Sequence, residues 1–424
     1  GVPGGGGSME CKQESIDVGQ ATFIERELCT LKFDAKADCT VYNPDRRGAA
    51  DYDPHAELRS PEELKALDAA IVEASKPHEV VVLVKMGVGS PFAGDRAVGL
   101  NKLVNELVQA TPKVQIVFLA DASAWLKSGV SVSETMPPHL MPLLVPYTQS
   151  DISKYFPMLK LESPQPRARA MSKYYEVYSW SWWWHTQGLP LKVAKRVWTI
   201  EDDTIFSGDY AALFRTLSSG LDSSTARNGG DLIVFRDFAT PRGNWPWAHW
   251  MREGWTNLTI PGQGLETWMT FYGMSSDFLT AIVKAQLKGV TGHIEYFPPT
   301  FALRNKYSLV FVEHALRGKK LGRANKSMSG GTYVYCCSGA STAGAENWYE
   351  GWKTTKACAP PTLLHPVKGD ACSRFSPNGF GRGCWKREYS KDKKVKDAYT
   401  VGGKVEKFYE PYDEAELAHS TNNL

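Results

Sequence analysis

The sequence predicts an α/β fold with a mostly parallel central sheet flanked by helices, and three observations carry that prediction. Two continuous apolar runs, H-E-V-V-V-L-V-K-M from His78 and V-Q-I-V-F-L-A-D ending at Asp121, suit strands covered on both faces. Between them, Asp95 to Ala110 reads as a helix, so strand, helix and strand succeed one another at the spacing of a βαβ unit. A third apolar strand, Val193 to Ile200, runs directly into three consecutive carboxylates, Glu201, Asp202 and Asp203.

From the N-terminus, the first eight residues, G-V-P-G-G-G-G-S, read as an appended linker and are set aside. Residues 9–60 are polar and cysteine-bearing with little periodicity, and form an N-terminal extension. A helix begins after Ser60: the string S-P-E-E-L-K-A-L-D-A-A-I-V-E-A has a capping Ser, Pro at the first helical position and acids in the first turn. Residues 167–187 read as a helix rich in Tyr and Trp. Its W-S-W-W-W-H cluster, Trp180 to His185, is core, because consecutive rings on a helix cannot all face one cleft. D-L-I-V-F-R-D from Asp231 is a further strand, and M-S-S-D-F-L-T-A-I-V-K-A-Q-L a helix with a capping Ser. Beyond residue 317 the chain is basic and rich in Gly and Ser, and residues 369–424 form a polar, lysine-rich tail.

Bulk properties narrow the class. A chain of 424 residues with 42% hydrophobic and 22% charged content is globular, with room for one large or two ordinary domains. A net charge of +3 gives no argument for a nucleic-acid partner. No run of about twenty apolar residues exists to span a bilayer. A lumenal domain whose signal or membrane anchor was replaced by the linker fits the same sequence.

The eight cysteines, at 11, 29, 39, 336, 337, 358, 372 and 384, cluster toward the two ends and form no C-x-x-C pair. A zinc ribbon is thereby disfavoured, and disulfides stapling terminal extensions onto the core are expected. Sequons at Asn257 and Asn325 agree with a secretory route.

Three adjacent acids at a strand end repel one another unless a cation neutralises them. Hard divalent cations take oxygen ligands, commonly one or two carboxylates plus substrate phosphates. Ligands of open α/β sheets bind at the carboxyl ends of the strands. The acid cluster is therefore a candidate metal–phosphate site; the competing reading is an exposed acidic turn.

The string V-W-T-I-E-D-D-T-I-F-S-G-D-Y, Val197 to Tyr210, resembles the acidic D-x-D-type motif of nucleotide-sugar-dependent glycosyltransferases of the GT-A fold, a Rossmann-like architecture. It is similar in particular to the E-D-D form of the N-acetylglucosaminyltransferase I group. The resemblance spans about residues 78–368 by order of elements and short motifs, and implies a catalytic domain over 61–368. It implies that Asp203 holds Mn²⁺ (or Mg²⁺), while Glu201 and Asp202 face the donor. G-H-I-E-Y-F-P-P-T, Gly292 to Thr300, resembles the segment holding the family's catalytic acid, which makes Glu295 the base for the acceptor hydroxyl in an inverting transfer. P-G-Q-G-L-E-T-W-M resembles the family's flexible glycine loop near the acceptor, so Glu266 competes for that role. L-L-H-P-V-K resembles the C-terminal histidine segment, giving His365 as a metal ligand and Lys368 as a phosphate contact. Lys85 and Asp121, after the first two strands, fall where the family holds base and ribose. Trp245, Trp247 and Trp250 offer rings for a sugar acceptor.

The resemblance implies a hexosyl- or pentosyltransferase of the Golgi lumen, or a secreted one. Its donor would be a nucleotide sugar, with a UDP-sugar expected, and its acceptor a glycan or glycoprotein. Two other classes remain open. One is a non-catalytic carbohydrate-binding protein on a degenerate transferase fold. The other is a metal phosphoesterase, weakened by nine scattered histidines with no H-x-H or H-D pair.

Overall fold

The computed structural model describes residues 8–17, 23–33, 60–86, 94–122, 136–157, 178–188, 194–206, 210–222, 230–235, 238, 264–267, 269–290, 292, 294–314, 333–335, 363–365, 399–401 and 404–406. The chain is α/β, as expected. Nine strands form the main sheet: β1 (Ser8–Asp17), β2 (Phe23–Phe33), β3 (Val80–Met86), β4 (Val114–Asp121), β5 (Leu144–Tyr147), β6 (Arg196–Glu201), β8 (Leu232–Val234), β9 (Phe271–Ser275) and β10 (Leu309–His314). Their spatial order is β1-β2-β10-β8-β9-β6-β3-β4-β5. Of the seven strands from β3 onward in this sheet, all are parallel except β9, which runs antiparallel to both β6 and β8.

Alternate residues of the strands feed two separate cores. Val82, Val84, Ile116, Phe118, Trp198 and Ile200 face one layer of helices, α1 (Pro61–Ala74), α2 (Gly94–Leu107) and α5 (Tyr210–Asp222). Val81, Leu83, Val117, Leu119 and Val197 face the other. That second layer holds α4 (Ser179–Trp183), α6 (Ser276–Leu287) and α7 (Phe297–Arg304). Burial on both faces is why these strands read as unbroken apolar runs. The short α3 (Gln149–Tyr155), capped by Thr148, comes after β5. Among the described residues no helix is long and apolar enough to cross a membrane.

Local signals hold closely. Ser60 caps α1 in a full capping box with Glu63, Pro61 is the first helical residue, and Ser275 caps α6. Trp180, Trp182, Trp183 and Trp184 are all buried, as the crowding of rings required. The expected helix lies outside the described residues before 178, and from Trp184 to Gly188 it widens into a π turn. Trp198 also explains Gly273. The two are cross-strand partners, and a β-carbon at 273 would come within 2.8 Å of the indole.

β1 and β2 arise in the segment that shows no periodicity. They form an antiparallel pair whose inner strand lies parallel to β10 at the sheet edge. Cys11 and Cys29 stand opposite each other in that pair and are joined by a disulfide. The other six cysteines lie outside the described residues, as do Trp245, Trp247, Trp250 and Lys368.

The end of the sheet remote from the acids is closed by one carboxylate. Asp231 is fully buried; its Oδ1 accepts from the Ser275 hydroxyl at 2.7 Å and its Oδ2 from the Ser308 amide at 2.9 Å and hydroxyl at 3.0 Å. It thus ties together the starts of β8 and β10 and the end of β9. Asp231→Ala leaves these donors unsatisfied and is expected to cost about 2–4 kcal/mol. The check is a lower denaturant midpoint at unchanged slope; a midpoint within error of wild type would refute it.

Candidate active site at the switch point of the sheet

The chain builds the sheet outward from β3 through β4 to β5, then returns to place β6 on the other side of β3. The order therefore reverses between β3 and β6, and in open α/β sheets that crevice, at the carboxyl ends, is where ligands bind. β3 brings Lys85 there and β6 brings Glu201, in direct register with each other. Asp202 and Asp203 come next in the turn, and the Asp202 amide donates to the Lys85 carbonyl at 3.0 Å. Asp202 is 7% exposed and Asp203 is 4% exposed. The triplet is not an exposed acidic turn. Asp121, fully buried, ends the neighbouring β4.

Lys85 Nζ lies 3.0 Å from Glu201 Oε1, with the side chains 12% and 30% exposed. Tyr272 is buried close enough to feel both charges. Burial pushes its phenol up from 10.0 to about 12; Lys85 and Thr199 pull the other way, and Glu201 adds to the rise.

After Asp203 the chain forms β7 (Ile205–Phe206), which pairs antiparallel with β12 (Leu363–His365), itself parallel to β11 (Tyr333–Tyr335). Leu364 stands opposite Ile205, so the backbone of His365 comes level with Thr204, the residue after Asp203. Residues far apart in the chain are thus brought to one end of the sheet. The Tyr210 hydroxyl, at the start of α5, accepts from the Phe206 amide at 2.9 Å and holds β7 against the helix.

The segments that carry the two candidate bases are bonded to each other here. The Thr267 amide donates to the Glu295 carbonyl at 2.9 Å. The Thr300 hydroxyl pairs with both the Leu265 amide and the Leu265 carbonyl at 3.1 Å. Space for a β-carbon at Gly264 is filled by the Tyr296 and Thr300 side chains, so this glycine serves close packing. Glu266 and Glu295 are both half-buried. The Glu266 segment continues to Thr270, whose carbonyl accepts from the Glu201 amide at 2.9 Å. The structure therefore gathers Lys85, Asp121, the acid triplet, Glu266, Glu295 and the backbone of His365 at the carboxyl end of the sheet. Tyr272, Tyr210 and Thr300 had no sequence signal, since their roles depend on partners brought together by the fold.

Among the described residues no three His, Cys, Asp or Glu side chains form a metal group by themselves. Two buried carboxylates are still a sufficient hard-oxygen donor set for Mg²⁺ or Mn²⁺ when substrate phosphates complete the shell.

No protein-family model matches the chain, and no curated protein matches it. Among solved structures it is similar to the crystal structure of mouse Xyloside xylosyltransferase 1, apo form. That match has 11% identity and a TM-score of 0.33, over 67% of this chain and 96% of the other. It is also similar to Core-mannan synthase A from Aspergillus fumigatus in its Mn/GDP form. Here the identity is 11% and the TM-score 0.30, over 74% of this chain and 86% of the other. Likeness of this degree carries no functional argument, and the functional reading rests on the residues themselves.

The Tyr272 environment gives a pH prediction. A phenol whose folded pKa is raised contributes stability that is complete below pH 10 and is lost as pH rises through about 12. Tyr272→Phe removes that proton uptake difference. Between pH 10 and 12 its unfolding free energy is expected to fall less steeply than wild type, by about 1.4 kcal/mol per pH unit. Equal slopes in denaturant titrations across that range would refute the assignment.

Proposed function

We propose that this chain is a divalent-metal-dependent glycosyltransferase of GT-A architecture that moves a hexose or pentose from a nucleotide sugar to a hydroxyl of a glycan or glycoprotein. One observation carries the reading: two buried carboxylates, Asp202 and Asp203, sit at the carboxyl end of the strand bordering the switch point. Carboxylates there offer hard oxygen donors to a divalent cation, and a cation bound there would face the crevice where a diphosphate would lie.

Asp203 is the expected metal ligand, with His365 as the second protein ligand supplied by β12. When bound, Mn²⁺ or Mg²⁺ stabilises the negative charge that builds on the departing nucleoside diphosphate. Asp202 faces the sugar and ribose. Asp121, at the end of β4, is assigned to the nucleoside and Lys368 to the phosphates. Trp245, Trp247 and Trp250 are assigned to the acceptor.

The acceptor hydroxyl must lose its proton as it attacks the anomeric carbon. Glu295 is the preferred base and Glu266 the competitor; both stand at this end of the sheet on segments bonded to each other. A base beside the acceptor, with the nucleotide leaving from the opposite face, gives inversion. A UDP-sugar donor and a Golgi or secreted location complete the proposal, the latter supported by the Cys11–Cys29 disulfide.

Asp203→Ala is expected to abolish transfer and weaken metal-dependent nucleotide binding with the fold intact by circular dichroism. Full activity in that variant, or in EDTA, would remove the metal-site reading.

Glu295→Gln keeps shape and removes basicity. Its turnover is expected to fall by about 10²–10⁴-fold with donor affinity little changed. A near-normal rate there with a collapse in Glu266→Gln would move the base to Glu266. Product NMR showing retained configuration would defeat the inverting mechanism. Nucleotide binding with no transfer to any acceptor would favour the carbohydrate-binding alternative.

A further inference from the structure

A polar cavity lies away from the switch point, between the end of α2 and the first turns of α5. It holds about 240 Å³ and is lined by Asn105, Glu106, Gln109, Ala211 and Arg215. Gly99, which packs against Ile205 just after the acid triplet, sits about 10 Å back along α2 at 1.5 Å per residue. The walls are held by Glu106. Lys102 Nζ lies 2.6 Å and 2.7 Å from its two carboxylate oxygens, and its Oε2 also accepts from the Tyr210 amide at 2.8 Å. Glu106 therefore ties the start of α5 to α2, with its charge answered from within the protein. The carboxamide of Asn105 is a different case, because its Oδ1 is buried and accepts no hydrogen bond. Asn101, 3% exposed and one turn back on the same helix face, has an unsatisfied Oδ1 as well. Gln109 and Arg215 stand exposed at the mouth.

We infer that this cavity is a carbohydrate-binding site that takes one glycosyl unit. Its volume equals that of about eight liquid waters, the scale of a single sugar ring rather than of a nucleotide. The lining sets an acceptor without a donor, Asn105, beside a guanidinium, Arg215, that only donates. A hydroxyl group does both, so neighbouring hydroxyls of one ring answer Asn105 and Arg215 together. An inorganic anion would satisfy Arg215 alone, leave Asn105 unanswered and face the Glu106 carboxylate. A nucleobase or an apolar side chain would find only Ala211 to pack against. Turning the Asn105 amide about its broad terminal torsion brings Oδ1 to the cavity, so binding relieves the unsatisfied group. The inference does not depend on the switch-point acids holding a metal. In the proposed function this site would hold a remote unit of the acceptor glycan.

The test titrates the full chain, in EDTA and without nucleotide, with free glucose, galactose, mannose and xylose, and follows binding by saturation-transfer NMR. At least one of these sugars is expected to bind. Arg215→Ala and Gln109→Ala are each expected to weaken that binding about tenfold, the effect of one lost hydrogen bond. Both residues are exposed, so these variants keep the fold. Asn105→Leu is expected to abolish binding and yet raise the thermal midpoint of the sugar-free chain, because it removes an unsatisfied acceptor. Lost binding with a lowered midpoint would mark Asn105 as a structural residue and leave Arg215→Ala to decide the site. No binding by any of the four sugars, or equal binding by Arg215→Ala and wild type, would overturn the inference. Inorganic phosphate bound through Arg215, with no sugar bound, would overturn it in favour of an anion site.

Discussion

Like charges side by side at the end of a buried strand repel one another, and three of them, Glu201, Asp202 and Asp203, mark the candidate-site end of this molecule. Glu201 is answered by Lys85 at 3.0 Å. Asp202 and Asp203 are buried deeper, where carboxylates are expensive to keep charged without a counter-ion. In the proposed function a metal ion facing a diphosphate would bind beside these acids, and the surrounding elements would be its supports. The segment leading into β9 reaches Glu201 through Thr270, and β7 is held by Tyr210 while receiving the strand of His365.

The sheet supplies the rigidity such a site requires. Both faces are packed, one by aliphatic and aromatic side chains of α1, α2 and α5, the other by the tryptophans of α4 with α6 and α7. Trp198 fills the space over Gly273 and meets Phe214 edge-on, with ring centres 5.5 Å apart. Asp231 locks the far end of the same sheet. The turns at the candidate-site end are therefore anchored by strands that cannot slip, since a one-residue slip would exchange the two cores.

Much of this was legible in the sequence where the signal was local. The capping box at Ser60 and Glu63, the cap at Ser275, the apolar runs of β3 and β4 and the burial of Trp180–Trp184 all depend on neighbours a few residues away. β1 and β2 were not legible, because polar strands at a sheet edge carry little periodicity and gain their place only by pairing with β10. The acid triplet was visible as chemistry, but its burial and its ion pair were not. Lys85 and Glu201 lie 116 residues apart and meet through strand register. Likewise Glu266 and Glu295 read as rivals in the sequence. Their segments prove to be stitched together by Thr267 and Thr300, a proximity that no spacing rule encodes.

In the proposed function the switch-point acids hold a divalent cation against a nucleotide diphosphate. The most direct measurement is the thermal midpoint of the chain with a panel of nucleotide sugars, each with Mn²⁺ and with EDTA. At least one nucleotide sugar is expected to raise the midpoint when Mn²⁺ is present, and the rise to vanish in EDTA. No rise for any of them with Mn²⁺, or an equal rise in EDTA, would contradict it.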